Sequence, residues 1–563
     1  MNAKYQAWLN CPGMNDELLG QLKGMTDEQI SDSFYRELAF GTGGLRGVLG
    51  AGTNRMNLYT VSKATRGLGK YLLETFEQPS CAVSCDSRIH STDFARLTAA
   101  TLAEMGVRVY IYRTLMPTPM LSYAVRHLHT SAGVMVTASH NPAKFNGYKV
   151  YGADGCQITI EAADRIYGYI CAEETLVPQL PDFDAQMARG MISWIDDETI
   201  ESYYRVMDGL RIAPATERLH LVYSPLNGTG NVPVREMMKR MGNIDVEIVA
   251  EQELPDGNFP TAPYPNPEIR QAFECALKLA DELKPELLLA TDPDCDRVGI
   301  AVRDGEEYKL LSGNDVGALL LDFVLARRKE NGTLPENPLA VKTIVTTELC
   351  RKIAEGYGCE LVDVLTGFKF IGEQITMLEA KGEENRFVFG FEESYGYLGG
   401  TYVRDKDAVI ASMLICEMVA YYKAQGKNLI EVLEGLYKKY GYYICAQKSF
   451  TCEGESGMKQ IKGMMEALRT DTPSGINGSK VVKFDDYEAS VSRDLKNGNE
   501  TKITLPRSNV LCFYMEDGCS LIVRPSGTEP KIKLYIGAVG KTYSEAEANL
   551  GGLTDSGTKL LGF

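Results

Sequence analysis

The sequence predicts an α/β protein of several domains, and three observations carry that prediction. Short apolar or β-branched runs alternate with longer amphipathic stretches, the pattern of βαβ units. Five of those runs end abruptly in polar, glycine-rich or charged turns. The chain has 563 residues, which at roughly 150 residues per domain corresponds to three or four globular units.

Taken in order, residues 14–38 are polar with helical spacing. The five runs follow: GVMV before TASHNP, LHLVY before SPLNGTG, ELLLA before TDPDCDR, FVFG before FEESYG, and CSLIV before RPSGTEP. In open α/β sheets ligands bind beyond the carboxyl ends of strands, where a rigid scaffold holds the loops and helix N-termini present free N–H groups. The chemistry is therefore expected in one cleft that collects several strand-end loops. Breaks fall at residues 209–217, 331–338 and 441–450, where a helical pattern gives way to Pro/Gly-bearing or strand-like sequence. They divide the chain into residues 1–208, 209–328, 329–444 and 445–563.

Composition excludes several classes of function. Apolar residues make up 44% and charged residues 24%, close to soluble globular averages, so wholesale disorder is excluded. With 59 basic against 75 acidic residues the net charge is −16, a field that repels nucleic acid and anionic membranes; neither is an expected partner. No apolar run reaches the 18 or more residues of a membrane span, and residues 316–326 are broken by Asp322. The opening MNAKYQAWLN has neither the basic nor the long apolar part of a secretory signal. The 14 cysteines include no CxxC pair, which fits reduced thiols and a cytoplasmic location. Only five histidines occur and HExxH is absent, so a metal here would take oxygen ligands.

The clearest metal signal is Asp292, Asp294 and Asp296 in TDPDCDRVGI. Alternate carboxylates after an apolar strand can converge on one hard divalent cation. An EF-hand is excluded, because counting from Asp292 puts Arg297 at position 6 and Arg303 at position 12, where Gly and Glu are required. Arg297, directly after the triplet, suits an anionic co-ligand. A second signal is Ser139-His140, a hydroxyl beside an imidazole at the exit of an apolar run, with Lys149 downstream in NGYKVYG. An ordinary polar turn is the plain alternative for that pair.

RPSGTEP combines the guanidinium fork of Arg524, the hydroxyls of Ser526 and Thr528, and Gly527, which lets backbone N–H groups approach an anion. It reads as a phosphate cradle. GxxxxGK[ST] occurs nowhere, and the segment from Gly41 to Arg46 breaks GxGxxG at its last glycine, so ATP and dinucleotide fingerprints are both missing. In FGTGGLRG, glycines surround one cation, Arg46, as where backbone passes close to a ligand. Thr366-Gly367 and Glu392-Glu393-Ser394 supply groups of the kind that hold sugar hydroxyls.

Together and in this order, FGTGGLRG, TASHNPAKFNGYKVYG, TDPDCDR, LTGFK, GFEESYG, RDKD and RPSGTEP resemble the α-D-phosphohexomutase superfamily, specifically its phosphoglucomutase/phosphomannomutase members, over about residues 40–535. The resemblance implies four domains around a central cleft, three similar mixed-sheet α/β domains and a smaller C-terminal TBP-like α+β domain. It implies a phosphorylated Ser139, with Asp292, Asp294, Asp296 and a phosphoserine oxygen holding Mg²⁺. Arg46, His140 and Lys149 match positions for proton transfer or transition-state stabilisation, and which of them is the general base stays open. Arg297, Thr366, Gly367, Glu392, Ser394 and Lys406 match sugar-phosphate binding; Arg524, Ser526, Gly527 and Thr528 match the distal phosphate loop.

The reaction implied is interconversion of glucose 1-phosphate and glucose 6-phosphate, with glucose 1,6-bisphosphate as intermediate and activator, extending to mannose phosphates. Asn227 stands in SPLNGTG where relatives often have His, and the FEESYG form, with Tyr395 between Ser394 and Gly396, resembles the branch that contains phosphopentomutases, acting on ribose or deoxyribose 1-phosphate, as well as glucose enzymes. A catalytically silent sugar-phosphate sensor is the alternative from another class. Oligomeric state is left open.

Overall fold

The strand Ala132–Val136 is buried along its whole length, so both of its faces need cover. The computed structural model, which describes residues 3–41, 43–214, 217–452, 454–526 and 531–563, supplies it by placing this strand inside a seven-stranded sheet. The order is Phe40–Gly41, Gly44–Val48, Phe145–Gly152, Ala132–Val136, Ser80–Cys85, Arg108–Ile111, Ile192–Trp194. Ala132–Val136 runs parallel to Ser80–Cys85 and antiparallel to Phe145–Gly152, which makes the sheet mixed.

Helix Leu58–Thr75 starts where Asn57 and Thr60 form a capping box, and it buries Val61, Leu68 and Leu72 in the core beneath Val134 and Val136. Each such side chain contributes about 1.5–3 kcal/mol when fully buried. Helix Thr118–His127 packs against Gly133, where an added Cβ would stand 2.5 Å from Val125 and 3.5 Å from Leu121. Residues 14–38 form two helices, Asp16–Gly24 and Asp27–Phe34. The break is chemical: Thr26 and Gln29 close a capping box that starts the second helix.

The second sheet has the order Glu307–Leu310, Val298–Asp304, Leu287–Thr291, Leu219–Ser224, Ile244–Ile248. Its central strand Leu287–Thr291 is fully buried, parallel to Leu219–Ser224 and antiparallel to Val298–Asp304. Both sheets lie in the first of two compact units, Met1–Ser312 with Ile371–Gly390 and Ser394–Asn428. Within it helix Ala408–Lys423 is buried from Ala408 through Ala420, and Asp407 caps its first turn by accepting from the amides of Val409 and Ile410.

The second unit comprises Gly313–Phe370, Phe391–Glu393 and Leu429–Phe563. Its strands Leu339–Thr343 and Glu360–Val364 pair in parallel. Its C-terminal sheet is antiparallel throughout, in the order Tyr442–Thr451, Lys531–Gly540, Ser520–Pro525, Leu511–Met515, Ser479–Asp486, Val491–Asp494, Glu500–Lys502. Helices Gly454–Thr470 and Tyr543–Leu560 belong to the same C-terminal region, and Leu521, Leu534 and Leu553 share its core.

Two expected domain limits fall inside elements: 328/329 cuts helix Gly313–Glu330, and 444/445 cuts strand Tyr442–Thr451. An element serves one core, so we place those limits before Gly313 and before Tyr442. Among the described residues no helix is long and apolar enough to cross a membrane.

Candidate active site

The buried strand Leu287–Thr291 delivers the acidic loop, and strand Val298–Asp304 carries the chain away antiparallel, with Thr291 opposite Val298. The intervening residues therefore make a tight turn. Cys295 takes a left-handed backbone (φ 51°), and Asp292 Oδ1 accepts from the amides of Asp296 (3.1 Å) and Arg297 (3.0 Å). The three carboxylates of Asp292, Asp294 and Asp296 are fully buried, and one oxygen from each lies within 4.8 Å of the others.

Two cations share the cluster. Lys149 Nζ stands 2.7 Å from Asp294 Oδ2 and 3.4 Å from Asp296 Oδ2; Lys406 Nζ stands 3.0 Å from Asp296 Oδ2. Burial opposes ionisation at Asp294, yet Lys149 and Lys406 hold it well below the ordinary carboxylate range. Burial and the Asp294 charge also oppose Asp296, but the same two cations win and lower it. Among the described residues neither lysine pairs with Asp292, and burial with the charges of Asp296 and Asp294 pushes it well up against the opposing charge of Arg297. Lys149 is raised despite its own burial, by Asp294 and Asp296.

Oδ1 of Asp294 and Oδ1 of Asp296 are buried without a hydrogen-bond partner among the described residues. Such bare oxygens are costly, and three converging carboxylates are the donor set a hard divalent cation prefers. The residues present fit Mg²⁺.

Ser139 meets this cluster. The strand Ala132–Val136 ends one residue before Thr137, whose hydroxyl donates to Asp86 Oδ2 (2.6 Å) and accepts from the Ser139 amide (2.8 Å). Ser139 is left-handed (φ 52°), and its Oγ donates to Asp292 Oδ2 at 2.8 Å while lying 3.2 Å from His140 Nδ1. Burial, then the guanidinium charges of Arg297 and Arg46, depress His140 well below its ordinary value. Arg46 is exposed on strand Gly44–Val48, opposite Gly147, and donates to Asn141 Oδ1 at 3.3 Å.

The tail of FEESYG reaches the same loop: Tyr395 is left-handed (φ 65°) and its carbonyl accepts from Val298 N at 3.1 Å, beside the half-buried Ser394. Arg297 Nη1 donates to Glu268 Oε1 at 2.5 Å. In the second unit, Glu392 is buried and its Oε1 accepts from Gly367 N at 2.9 Å, which fixes the turn holding Thr366. Arg524 lies on strand Ser520–Pro525 opposite Lys533, and Ser526 N donates to the Lys531 carbonyl at 2.8 Å. Gly527 and Thr528 lie outside the described residues.

Some contributors carry no motif. Thr118 donates to Asp294 through both its amide and its hydroxyl, and Asp86 anchors Thr137. Asp86 had a usable signal, since CAVSC before DSR is a sixth apolar run with a polar exit.

Models of the phosphoglucomutase/phosphomannomutase family match four consecutive stretches: alpha/beta/alpha domain I at residues 37–176, domain II at 205–305, domain III at 312–440 and the C-terminal domain at 477–548. The chain is 37% identical over 514 residues to a phosphoglucomutase of Staphylococcus epidermidis, covering 91% of this chain and 92% of that protein. It is likewise 37% identical over 528 residues to a phosphoglucomutase of Staphylococcus aureus, covering 93% of each. Among solved structures, a putative phosphomannomutase from Thermus thermophilus superposes with a TM-score of 0.69 at 24% identity, covering 94% of this chain and 100% of that one. The open form of the Paramecium phosphoprotein pp63/parafusin, a phosphoglucomutase, gives a TM-score of 0.69 at 17% identity, covering 94% and 96%. These two show the shared fold.

Proposed function

This chain belongs to the phosphoglucomutase/phosphomannomutase family and is a phosphohexomutase isomerase, and from that premise we propose that it interconverts glucose 1-phosphate and glucose 6-phosphate through a phosphorylated Ser139. The observation that carries the reading is the 2.8 Å contact between Ser139 Oγ and Asp292 Oδ2 inside the buried aspartate cluster.

In the first half-reaction a sugar hydroxyl attacks the phosphoryl group on Ser139. The Oγ–P bond breaks, a new O–P bond makes glucose 1,6-bisphosphate, and the hydroxyl proton passes to the protein. The second half-reaction reverses these events at the other phosphate and restores phosphoserine. His140, with Nδ1 3.2 Å from Ser139 Oγ, Lys149, 2.7 Å from Asp294, and Arg46 are the candidates for carrying protons or charge there. A phosphoserine carries about −1.5 to −2 charge, so three neighbouring carboxylates would repel it unless neutralised. Asp292, Asp294 and Asp296 would hold Mg²⁺, which when bound neutralises that charge and polarises the transferring phosphoryl group.

Glu392 and Ser394 suit the sugar hydroxyls, and Arg524 with Ser526, Gly527 and Thr528 suits the phosphate that is not reacting. Such a clamp reads charge and leaves the ring orientation free, as a bisphosphate that must turn round requires. The 37% identity to staphylococcal phosphoglucomutases supports glucose phosphates as the main substrate; mannose phosphates are proposed as further substrates.

Intact-mass measurement with peptide mapping tests the reading. One phosphate on Ser139, lost to unlabelled sugar phosphate and regained on turnover, is expected. A turning-over enzyme that never carries phosphate on Ser139 would overturn it. Comparing kcat/KM for glucose, mannose and ribose 1-phosphates decides the sugar, and a preference for ribose 1-phosphate would make the chain a phosphopentomutase.

A further inference from the structure

One buried guanidinium outside the groups assigned so far reaches four carbonyls of the serine loop. Arg88 Nη2 donates to the carbonyls of Ser139 (2.5 Å) and Asn141, and Nη1 donates to those of Pro142 (3.1 Å) and Phe145 (3.0 Å). Its Nε lies 3.3 Å from Asp86 Oδ2, and neither side chain exposes any surface. Asp86 in turn accepts from the hydroxyls of Thr137 (2.6 Å) and Ser91 (2.8 Å). On the other side the Phe259 ring centroid stands 5.1 Å from the guanidinium carbon, and Gly257 passes so close that a Cβ there would lie 2.5 Å from the Ile89 amide nitrogen.

Burying a guanidinium costs several kcal/mol unless charge and hydrogen bonds compensate it. Here most of that compensation comes from carbonyls of a single loop, so the loop has one arrangement in which the cost is offset. Ser139 needs such support, because its left-handed backbone (φ 52°) costs roughly 1–2 kcal/mol for a residue with a Cβ. Turning the Ser139 carbonyl toward Arg88 fixes the peptide plane beside it, and with it the direction in which Oγ leaves the chain toward Asp292.

We propose that Arg88, seated on Asp86 and Phe259, is a positioning residue for the phosphoryl transfer: it holds the serine loop in the left-handed geometry that presents Oγ to the aspartate cluster. Phe259 belongs to the region that also carries those aspartates, so the guanidinium sets the serine against the cluster from both sides. The inference rests on Ser139 being the phosphorylated residue. Lysine cannot substitute, since an ammonium offers three donors from one point where guanidinium offers a planar fork of five.

The test is Arg88→Lys, which keeps the charge beside Asp86 and removes the fork. With glucose 1-phosphate, kcat is expected to fall about 10²-fold, the scale of a misplacement near 1 Å, while KM stays within about twofold because the sugar-binding groups are untouched. Single-turnover transfer from phosphorylated Ser139, followed by intact mass, should slow by the same factor. Phe259→Leu, which removes the ring and keeps the fork, serves if Arg88→Lys does not fold, and should lower kcat several-fold with KM unchanged. Wild-type kcat in a folded variant, with only a lower melting temperature, overturns the proposal and leaves Arg88 a scaffold. A wild-type enzyme that turns over without phosphate on Ser139 overturns the underlying reading instead, and the inference with it.

Discussion

Thr118 grips Asp294 twice: its amide donates to the Asp294 carbonyl at 2.9 Å and its hydroxyl to Oδ2 at 2.8 Å. Thr118 opens helix Thr118–His127, so one of the free N–H groups of a helix start is spent on the acidic loop. With Oδ2 taken by Thr118 and Lys149, Oδ1 is the oxygen left facing no donor among the described residues. The hydroxyl thus selects which oxygen of Asp294 is offered to a cation.

Replacing Thr118 by Val keeps shape and amide but removes the hydroxyl. Support of this kind is worth 10–100-fold in metal affinity. The half-saturating Mg²⁺ concentration should therefore rise by about that factor, with kcat at saturating Mg²⁺ little changed. Magnesium titrations of activity and calorimetry of binding check it, and an unaltered Mg²⁺ dependence would remove Thr118 from this role.

Ser139→Ala deletes the proposed phosphate carrier. Turnover should fall by at least about 10³-fold, as for other removed nucleophiles. Stability should change by no more than about 2 kcal/mol, because the lost hydroxyl contacts are two hydrogen bonds, to Asp292 and His140. Steady-state assays beside thermal unfolding separate the two effects.

How far the site could be read in advance depended on the kind of partner each residue uses. Ser139 and the aspartate triplet each follow a fully buried strand, so a polar residue at the exit of an apolar run marked them. Thr118 had no such mark, since it opens a helix and its partner lies 176 residues away. Arg88 was hidden for a different reason: its acceptors are main-chain carbonyls, which every residue has. Helical spacing over residues 14–38 does not by itself place the break at Thr26, where a capping box starts the second helix. The expected limits at 328/329 and 444/445 lie within a helix and a strand, whose continuity a change of composition does not reveal.

Asp407, between Lys406, which pairs with Asp296, and Ala408, whose amide donates to the Cys295 carbonyl, gives the protein a pH-dependent element beside the aspartate loop. Burial pushes its carboxyl up to about 6 even though the hydroxyls of Tyr402 and Tyr203 donate to it. Between the ordinary value near 3.8 and about 6 the folded protein keeps a proton that the unfolded chain has released. The stability this group contributes is therefore full below the lower value and is lost as pH rises through the upper one, by up to about 3 kcal/mol. Asp407→Asn cannot titrate. The stability of the native protein relative to Asp407→Asn should fall across that window as pH rises, measured by urea unfolding from pH 4 to pH 7. A constant difference would place the Asp407 carboxyl at its ordinary value.

Gly44 lies where two strands meet too closely for any side chain. It pairs with Lys149, its φ is +143°, and a Cβ there would stand 1.9 Å from the Tyr148 carbonyl oxygen and 3.0 Å from Lys149 Cα. Backbone atoms cannot swing aside as a side chain does, so Gly44→Ala must part strand Gly44–Val48 from strand Phe145–Gly152. The cost should be about 3 kcal/mol, combining strain with lost pairing. The same displacement moves Lys149, whose ammonium reaches Asp294 at 2.7 Å, and Arg46, two residues along the first strand. Activity should consequently fall more than tenfold even in the folded fraction, a coupling that a purely structural glycine would not show. Urea midpoints and kcat per folded enzyme measure the two losses separately. If kcat survives while stability drops, Lys149 is held by the aspartates alone, and its strand partner does not set its place.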